Sequence, residues 1–402
     1  MRILFLSYWN INDPLTVATV YPGLRILQGF DFVEEVLFVN TERGSSSPTF
    51  SPDFKVTKIR YVPLFSRNLK WVLLNKIFDF IQFPKSLERI VSKNKIDVII
   101  ARGAPAGSLA YLVFTKIKTP FLVESFEPHA DYMLESHIWG KFDLRYTLQR
   151  YWENKQKKFA LGLLPVAENY KKQLIAEGVE EEKIKVVPCG VNEDQFIFNK
   201  EERLNLRTHL GIPSDAIVGV YAGKYDGLYL AEKAFEIYKI FFNQLANFNL
   251  ILLSPVEYHP WIHQQIIRYE LPEKKIFVKS VKHSEVGRYF SASDFAFATY
   301  KSGRSKAYLS PVKVGEYLAN GLPILLTRGV GDESSIIENG FGGVLFDADC
   351  IDSTSLKEKI SKLLEMIRSP ETRASIARAG QQLRSFEKLE LAYKYFLLKA
   401  PN

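Results

Sequence analysis

The chain has 402 residues, 47% of them hydrophobic, and a formal net charge of +8. That length supports two domains of ordinary size, each with its own core, and the charge favours anionic partners: nucleotide phosphates, acidic lipid head groups or nucleic acid. Nucleic acid ranks last because no zinc-finger spacing or RNA-binding signature accompanies the charge, two cysteines (Cys189 and Cys350) make no disulfide framework and point to a reducing cytoplasm, and no run of about twenty apolar residues spans a membrane.

Residues 2–7 read as a first strand and lack the h-region and cleavage site of a signal peptide. A loop rich in Asn, Asp and Thr follows over 8–20, then a crossover helix over 21–29, a strand over 33–40, a polar loop over 41–52 and a strand over 55–62. In 70–83, Asn75, Lys76, Asp79 and Gln82 share one narrow helical face and nearly everything else is apolar or aromatic. That pattern fits a helix buried round most of its circumference, or one lying in a membrane interface. A strand over 96–102, a helix over 108–118 and a strand over 121–125 lead into a loop holding Glu124, Glu127, His129 and Asp131. Three carboxylates around one histidine suit a polar pocket that raises the imidazole pKa or orients a hydroxyl; the alternative is a surface histidine. The helix over 143–160 interleaves Arg145, Arg150, Lys155, Lys157 and Lys158 with Tyr146, Tyr151 and Trp152. Together with 71–83 and its neighbours Arg67, Lys70 and Lys85, it offers a surface for an anionic bilayer, or else a solvated face. A strand over 161–167 and a helix over 169–177 complete this half.

After a linker to about residue 211, the strand over 216–222 ends in Gly223-Lys224. A helix over 230–243 and strands over 249–253 and 275–279 follow, the last ending in Ser280-Val281-Lys282. His259 and His263 stand four apart, but no glutamate motif or third ligand accompanies them, so they read as a solvated helix start rather than a metal site. A helix over 283–291 and a strand over 294–299 precede the most informative stretch, Ser-Pro-Val-Lys-Val-Gly-Glu-Tyr-Leu-Ala-Asn-Gly-Leu-Pro-Ile-Leu-Leu-Thr at 310–327. Here Ser310 is expected as N-cap and Pro311 at the first helical position. Asn320-Gly321 gives a left-handed stop, and an apolar run gives a buried strand. Lys313 in the first turn strengthens an anion site at the helix N-terminus, and Glu316 one turn on can accept from two neighbouring hydroxyls. Phosphate plus vicinal diol describes a nucleoside diphosphate. A glycine-rich region over 329–343 and helices over 356–368 and 372–399 close the chain, which has no internal repeat. Strand and helix alternate throughout. The fold class expected is therefore α/β, two doubly wound domains over 1–190 and 191–380, with 381–402 a terminal helix placed to pack back towards the first domain.

The 310–327 stretch resembles the nucleotide-binding motif of GT-B retaining glycosyltransferases, family 4 in particular, many of which read Ser-Pro-x-Lys-x-x-Glu-Tyr-x-Ala-x-Gly-x-Pro. The resemblance covers roughly 186–347 and, more weakly, 1–164. It implies a GT-B fold of two Rossmann-like domains facing across a cleft, with the acceptor on the first and the nucleotide-sugar donor on the second. It implies that Glu316 grips the donor ribose, that Gly223 and Lys224 stand where a Gly-Arg pair meets the donor diphosphate, and that backbone at Val281 cradles the base. Ser310 and Lys313 join that donor site. His129, flanked by Glu127 and Asp131, would face the sugar and the acceptor, and His129, Lys224 and Lys313 are the catalytic candidates. The chain departs from the family where Tyr308 replaces an earlier glutamate and where Asn192 replaces an aspartate. The loop after Lys224 is also too short for a second cation, so Lys313, or Lys301, Arg304 or Lys306, would substitute. The activity implied is retaining, hexosyl-type transfer from a nucleotide diphosphate sugar to a hydroxyl of a glycan or lipid-linked glycan, in cell-surface polysaccharide synthesis. It needs no metal or cofactor, and it takes place in the cytoplasm or peripherally on the inner face of the cell membrane. Two alternatives stay open: a sugar-nucleotide 2-epimerase, and a non-catalytic subunit that binds a nucleotide sugar or glycan beside an active partner.

Overall fold

The computed structural model describes residues 1–11, 13–43, 49–50, 54–66 and 72–400. Residues 1–189 and 386–402 make one compact unit, and 190–385 make the other. Each is built on a six-stranded sheet in which every neighbouring pair is parallel. The first unit contains β1 (Arg2–Ser7), β2 (Glu35–Arg43), β3 (Ile59–Ser66), β4 (Val98–Arg102), β5 (Phe121–Phe126) and β6 (Gly162–Pro165), in the order β3-β2-β1-β4-β5-β6. The second contains β7 (Ile217–Ala222), β8 (Phe248–Leu253), β9 (Ile276–Lys279), β10 (Phe295–Ala298), β11 (Ile324–Thr327) and β12 (Gly343–Phe346), in the order β12-β11-β10-β7-β8-β9. Helices cover both faces of such sheets, so the inner strands are continuous apolar runs rather than alternating ones. Ile3, Leu4, Phe5 and Leu6 are all buried, as are Phe295 to Ala298.

Several elements differ from the sequence expectation, among them the linker before residue 211, which contains the helix Lys200–Leu210. The 8–20 loop contains a short helix, Pro14–Thr19, because the Asp13 side chain accepts the Leu15 N–H at 2.8 Å and Pro14 suits the first turn. The third strand begins at Ile59, since its pairing with β2 runs from Val36↔Ile59 onward and register, not alternation, sets its position. The helix Val72–Asn94 keeps Gln82 exposed and Phe83 buried, as expected, but departs from the expected faces at Asp79 and Ile81. Asp79 is 4% exposed and accepts from Ser66 Oγ at 2.8 Å and Tyr8 OH at 3.2 Å, whereas Ile81 is 61% exposed. Arg67, Lys70 and Trp71, and the side chains of Asn75 and Lys76, lie outside the described residues.

The end of the chain forms two helices, Pro370–Leu383 and Glu387–Leu397, rather than one. Between them the Arg384 carbonyl accepts the Val191 N–H at 2.9 Å, which joins the two ends of the second unit. The Glu387–Leu397 helix completes the first unit. Tyr393 donates to the buried Glu124 carboxylate, which also pairs with Arg102 at 2.7 Å. Phe396 fills the space over Gly162, where a Cβ would stand 2.4 Å from its ring. No helix among the described residues is long and apolar enough to cross a membrane. Because the Phe396 ring has no substitute over Gly162, Phe396→Ala should lower the stability of the first unit by about 3–5 kcal/mol. Urea titration followed by tryptophan fluorescence reads this, and an unshifted midpoint would show that the helix is dispensable to the core.

Candidate functional site

In the 190–385 unit, β7 and β10 are neighbours, but the strand order runs outward from them in opposite directions, to β9 on one side and β12 on the other. Ligands of doubly wound sheets bind beyond the carboxyl ends of strands at such a reversal. The segments leaving β7 and β9 carry Gly223, Lys224, Val281 and His283, and the helix Val312–Ala319, which carries Lys313 and Glu316, lies between β10 and β11. Tyr317 of that helix fastens it to the end of β7: its hydroxyl accepts the Ala222 N–H at 2.8 Å.

Ser310 does not cap this helix. Pro311 occupies the cap position at φ −65° and ψ 120°, and no side chain caps the first turn. The Ser310 hydroxyl instead accepts from Arg384, which also pairs with Glu333 and is 1% exposed. A buried guanidinium needs acceptors for its donors, and that demand takes the serine away from the helix. The first-turn N–H groups are thus left without a side-chain partner.

Lys313 is half-buried, yet its Nζ is fully enclosed and, among the described residues, has no hydrogen-bond partner. Lysines ordinarily bury the stem and expose the charge; here the arrangement is inverted. The amine lies 3.7 Å from the Tyr229 ring centroid, 4.8 Å from that of Tyr221 and 6.0 Å from that of Tyr300. Burial lowers its pKa to about 7, while Glu316 one turn on pulls in the other direction; the tyrosine faces also favour the charged form. Gly223, at φ 142°, makes the enclosure possible, since a Cβ there would stand 2.2 Å from Nζ. Glu316 is 6% exposed, and its Oε1 accepts from His283 Nε2 at 2.8 Å. The structure therefore brings Gly223, Lys313 and Glu316 together, with Val281 two residues from His283 and packed against the core. Lys224 is exposed, as are Lys301 and Arg304, whereas Lys306 is buried and its carbonyl accepts from Gly331.

His129, Glu127 and Asp131 belong to the first unit, where β5 ends. A register shift between Glu124 and Phe126, with Ser125 at φ 49°, turns the chain there. His129 opens the helix His129–Glu135 and meets the Trp139 ring edge-on at 5.6 Å. Asp131 accepts from Tyr146 OH at 3.1 Å, and that hydroxyl accepts from Arg150 at 2.8 Å. Burial raises the Glu127 carboxyl to about 7, against the pull of Arg102. Of the three acidic neighbours of His129, Glu124 is committed to Arg102 and Tyr393, and Asp131 to a tyrosine. Among the described residues no group of three or more His, Cys, Asp or Glu is placed to hold a metal ion. His259 Nε2 lies 3.0 Å from the Ser254 carbonyl at a helix start. Sequence reasoning missed His283 and the three tyrosines around Lys313. They lie far apart in sequence, and no local spacing marks them.

Two family models match the chain: "Glycosyltransferase Family 4" over residues 35–195 and "Glycosyl transferases group 1" over 203–383. No curated protein sequence matches it significantly. Among solved structures, the chain resembles sucrose-phosphate synthase from Thermosynechococcus elongatus at 17% identity and a TM-score of 0.75, with 99% of each chain covered. It also resembles Anabaena HepE in complex with UDP and glucose (14% identity, TM-score 0.70, covering 99% of this chain and 100% of that one). The UDP-GlcNAc 2-epimerase from Neisseria meningitidis bound to UDP-GlcNAc is similar at 13% identity and a TM-score of 0.65, with 99% and 100% covered. At these identities the likeness is one of fold: two Rossmann-like units of the GT-B type.

The enclosed amine has a consequence for stability. Its pKa falls from 10.5 to about 7 on folding, so between those values the folded state binds fewer protons than the unfolded state. The cost is fully present below pH 7 and disappears as pH rises towards the ordinary lysine value. Lys313→Met should therefore stabilise the ligand-free protein by about 1–3 kcal/mol near pH 7, and by progressively less towards pH 10. Chemical denaturation at the two pH values measures this; a variant destabilised equally at both would show that the amine is not held at a cost.

Proposed function

The chain belongs to the group 1 glycosyltransferases of the family 4 type, and from that premise we propose that its 190–385 unit binds a nucleotide diphosphate sugar whose sugar passes to a hydroxyl of a glycan or lipid-linked glycan. The observation that carries this reading is the pairing of an enclosed, unpartnered amine, Lys313, with a buried carboxylate one turn away that has one oxygen engaged, Glu316. The diphosphate would meet the uncapped first turn of the Val312–Ala319 helix, and the Lys313 amine would turn out of its tyrosine enclosure to reach it. Glu316 would accept from the ribose hydroxyls. As the glycosidic bond breaks, negative charge grows on the diphosphate, and Lys313 and exposed Lys224 would offset it without metal. Gly223 and Ser310 serve this site by leaving room for the amine and by anchoring the loop before the helix. Backbone at Val281 remains the proposed base cradle.

His129 and Glu127 are proposed for the acceptor side, with Asp131 steadying their surroundings through Tyr146. A 2-epimerase shares the fold, but the family models favour transfer. A product that carries the acceptor, rather than an epimer formed from donor alone, separates the two.

Nucleotide binding tests the donor site. Lys313→Met should weaken a nucleoside diphosphate at least about tenfold while leaving the nucleoside unchanged, and Glu316→Gln should weaken both about ten- to a hundredfold, the range of a charge-assisted hydrogen bond. Calorimetry with UDP, GDP, ADP and CDP and their nucleosides reads both effects. Equal loss of diphosphate and nucleoside in Lys313→Met would remove the phosphate assignment.

Membrane association is also proposed, for the 1–189 unit. On the helix Leu144–Phe159, the positions Leu144, Leu148 and Tyr151 form one exposed apolar row, and Phe142 just before it is 97% exposed. Lys155 lies over Tyr151, Lys158 is exposed beside the row, and Arg150 is exposed further round the helix, on Tyr146. Phe80 stacks on Trp152 at 4.8 Å, which continues the surface to exposed Phe78 and Ile81. Apolar side chains rimmed by cations suit an anionic bilayer surface. Changing Arg150, Lys155 and Lys158 to Glu should lower vesicle affinity at least about a hundredfold, at about 1 kcal/mol per cation. Co-sedimentation with phosphatidylserine vesicles at low salt is the measurement, and no binding by the unaltered protein would leave a soluble acceptor.

A further inference from the structure

The carboxylate of Glu316 is held by a histidine that the donor-site reading does not use. His283 follows β9 and opens the turn His283–Glu285. Its Nε2 stands 2.8 Å from Glu316 Oε1, and its ring meets Phe196 edge-on at 5.6 Å. Behind it lies Gln195, whose Nε2 donates to the His283 carbonyl oxygen at 2.5 Å and stands 3.2 Å from Nδ1.

Those two contacts fix the tautomer. A carbonyl oxygen can only accept, so the amide face of Gln195 turned to His283 is its NH2 group. Its second hydrogen meets Nδ1, which must then accept. The imidazole proton therefore sits on Nε2 and is donated to Glu316. Reversing the amide would set its oxygen against the His283 carbonyl. Among the described residues His283 is the single side-chain donor to Glu316, because the Lys313 amine is turned into its tyrosines instead of onto the carboxylate. One carboxylate oxygen is thus engaged, and the other keeps its lone pairs.

We propose that His283, seated on Gln195, is a positioning residue that holds one oxygen of Glu316 so that the other accepts the ribose hydroxyls of the nucleotide. The inference rests on the reading of Glu316 as the ribose partner. It assigns His283 an effect on ribose recognition that a packing role would not produce.

The test compares ribo- and 2′-deoxyribonucleoside diphosphates of uracil, guanine, adenine and cytosine by calorimetry. For the preferred base, the unaltered protein should favour the ribo form about tenfold or more. His283→Leu should bring that preference to within about twofold by weakening the ribo form alone. His283→Gln, whose Nε2 hydrogen falls close to that of the imidazole, should restore most of it. In a Glu316→Gln background, His283→Leu should add nothing. If the unaltered protein binds none of these nucleotides, or does not tell ribose from deoxyribose, the underlying reading of Glu316 fails. If it discriminates and His283→Leu still does, or if that variant loses both forms equally, the inference about His283 is overturned.

Discussion

In the 190–385 sheet, β7 and β10 lie side by side, while the chain proceeds from them towards opposite edges. This reversal is the constraint on which the candidate site depends, because it gathers the carboxyl ends of strands distant in sequence. Tyr317 links the helix Val312–Ala319 to the last N–H of β7, so the helix cannot drift from the strand end without leaving a half-buried donor unpaired. Lys313 and Glu316 inherit their positions from that attachment.

Both charges are held away from water, and neither neutralises the other. The Lys313 amine faces aromatic rings, and the carboxylate faces a histidine. A core built only for stability would pair them or replace them with apolar groups. The same unit shows what structural pairing looks like. Arg384, buried, meets Glu333 and Ser310 together, and its backbone joins Val191. The contrast separates a buried cation met by a carboxylate from one that meets only aromatic rings, and a buried charge left open at a cost is characteristic of functional sites.

The alternation of apolar runs and helical periods is enough to read two doubly wound units, because burial on both sheet faces leaves so strong a pattern. Lys313 and Glu316 are legible for a different reason: their spacing of three places them on one helical turn. The tyrosine enclosure was not legible, since Tyr221, Tyr229 and Tyr300 come from separate segments and each reads as ordinary core. Nor was the partnership of His283 with Glu316, which only the strand order creates. Ser310 misled because a local rule about caps competes with a distant arginine, and a sequence read locally cannot weigh the two. The helix Val72–Asn94 misled for the same reason: Asp79 finds Ser66 and Tyr8 inside, and Ile81 is left outside.

The return of residues 386–402 to the first unit bears on how the protein is made. During synthesis, residues 1–189 leave the ribosome long before the helix that covers Gly162 and gives Glu124 its tyrosine. The second unit, continuous in sequence, can close first, and the first must wait with an open apolar seat and a carboxylate short of a donor. Its final closure bridges a long loop. Pre-folding the intervening unit shortens the effective span and lowers the entropy that closure must overcome.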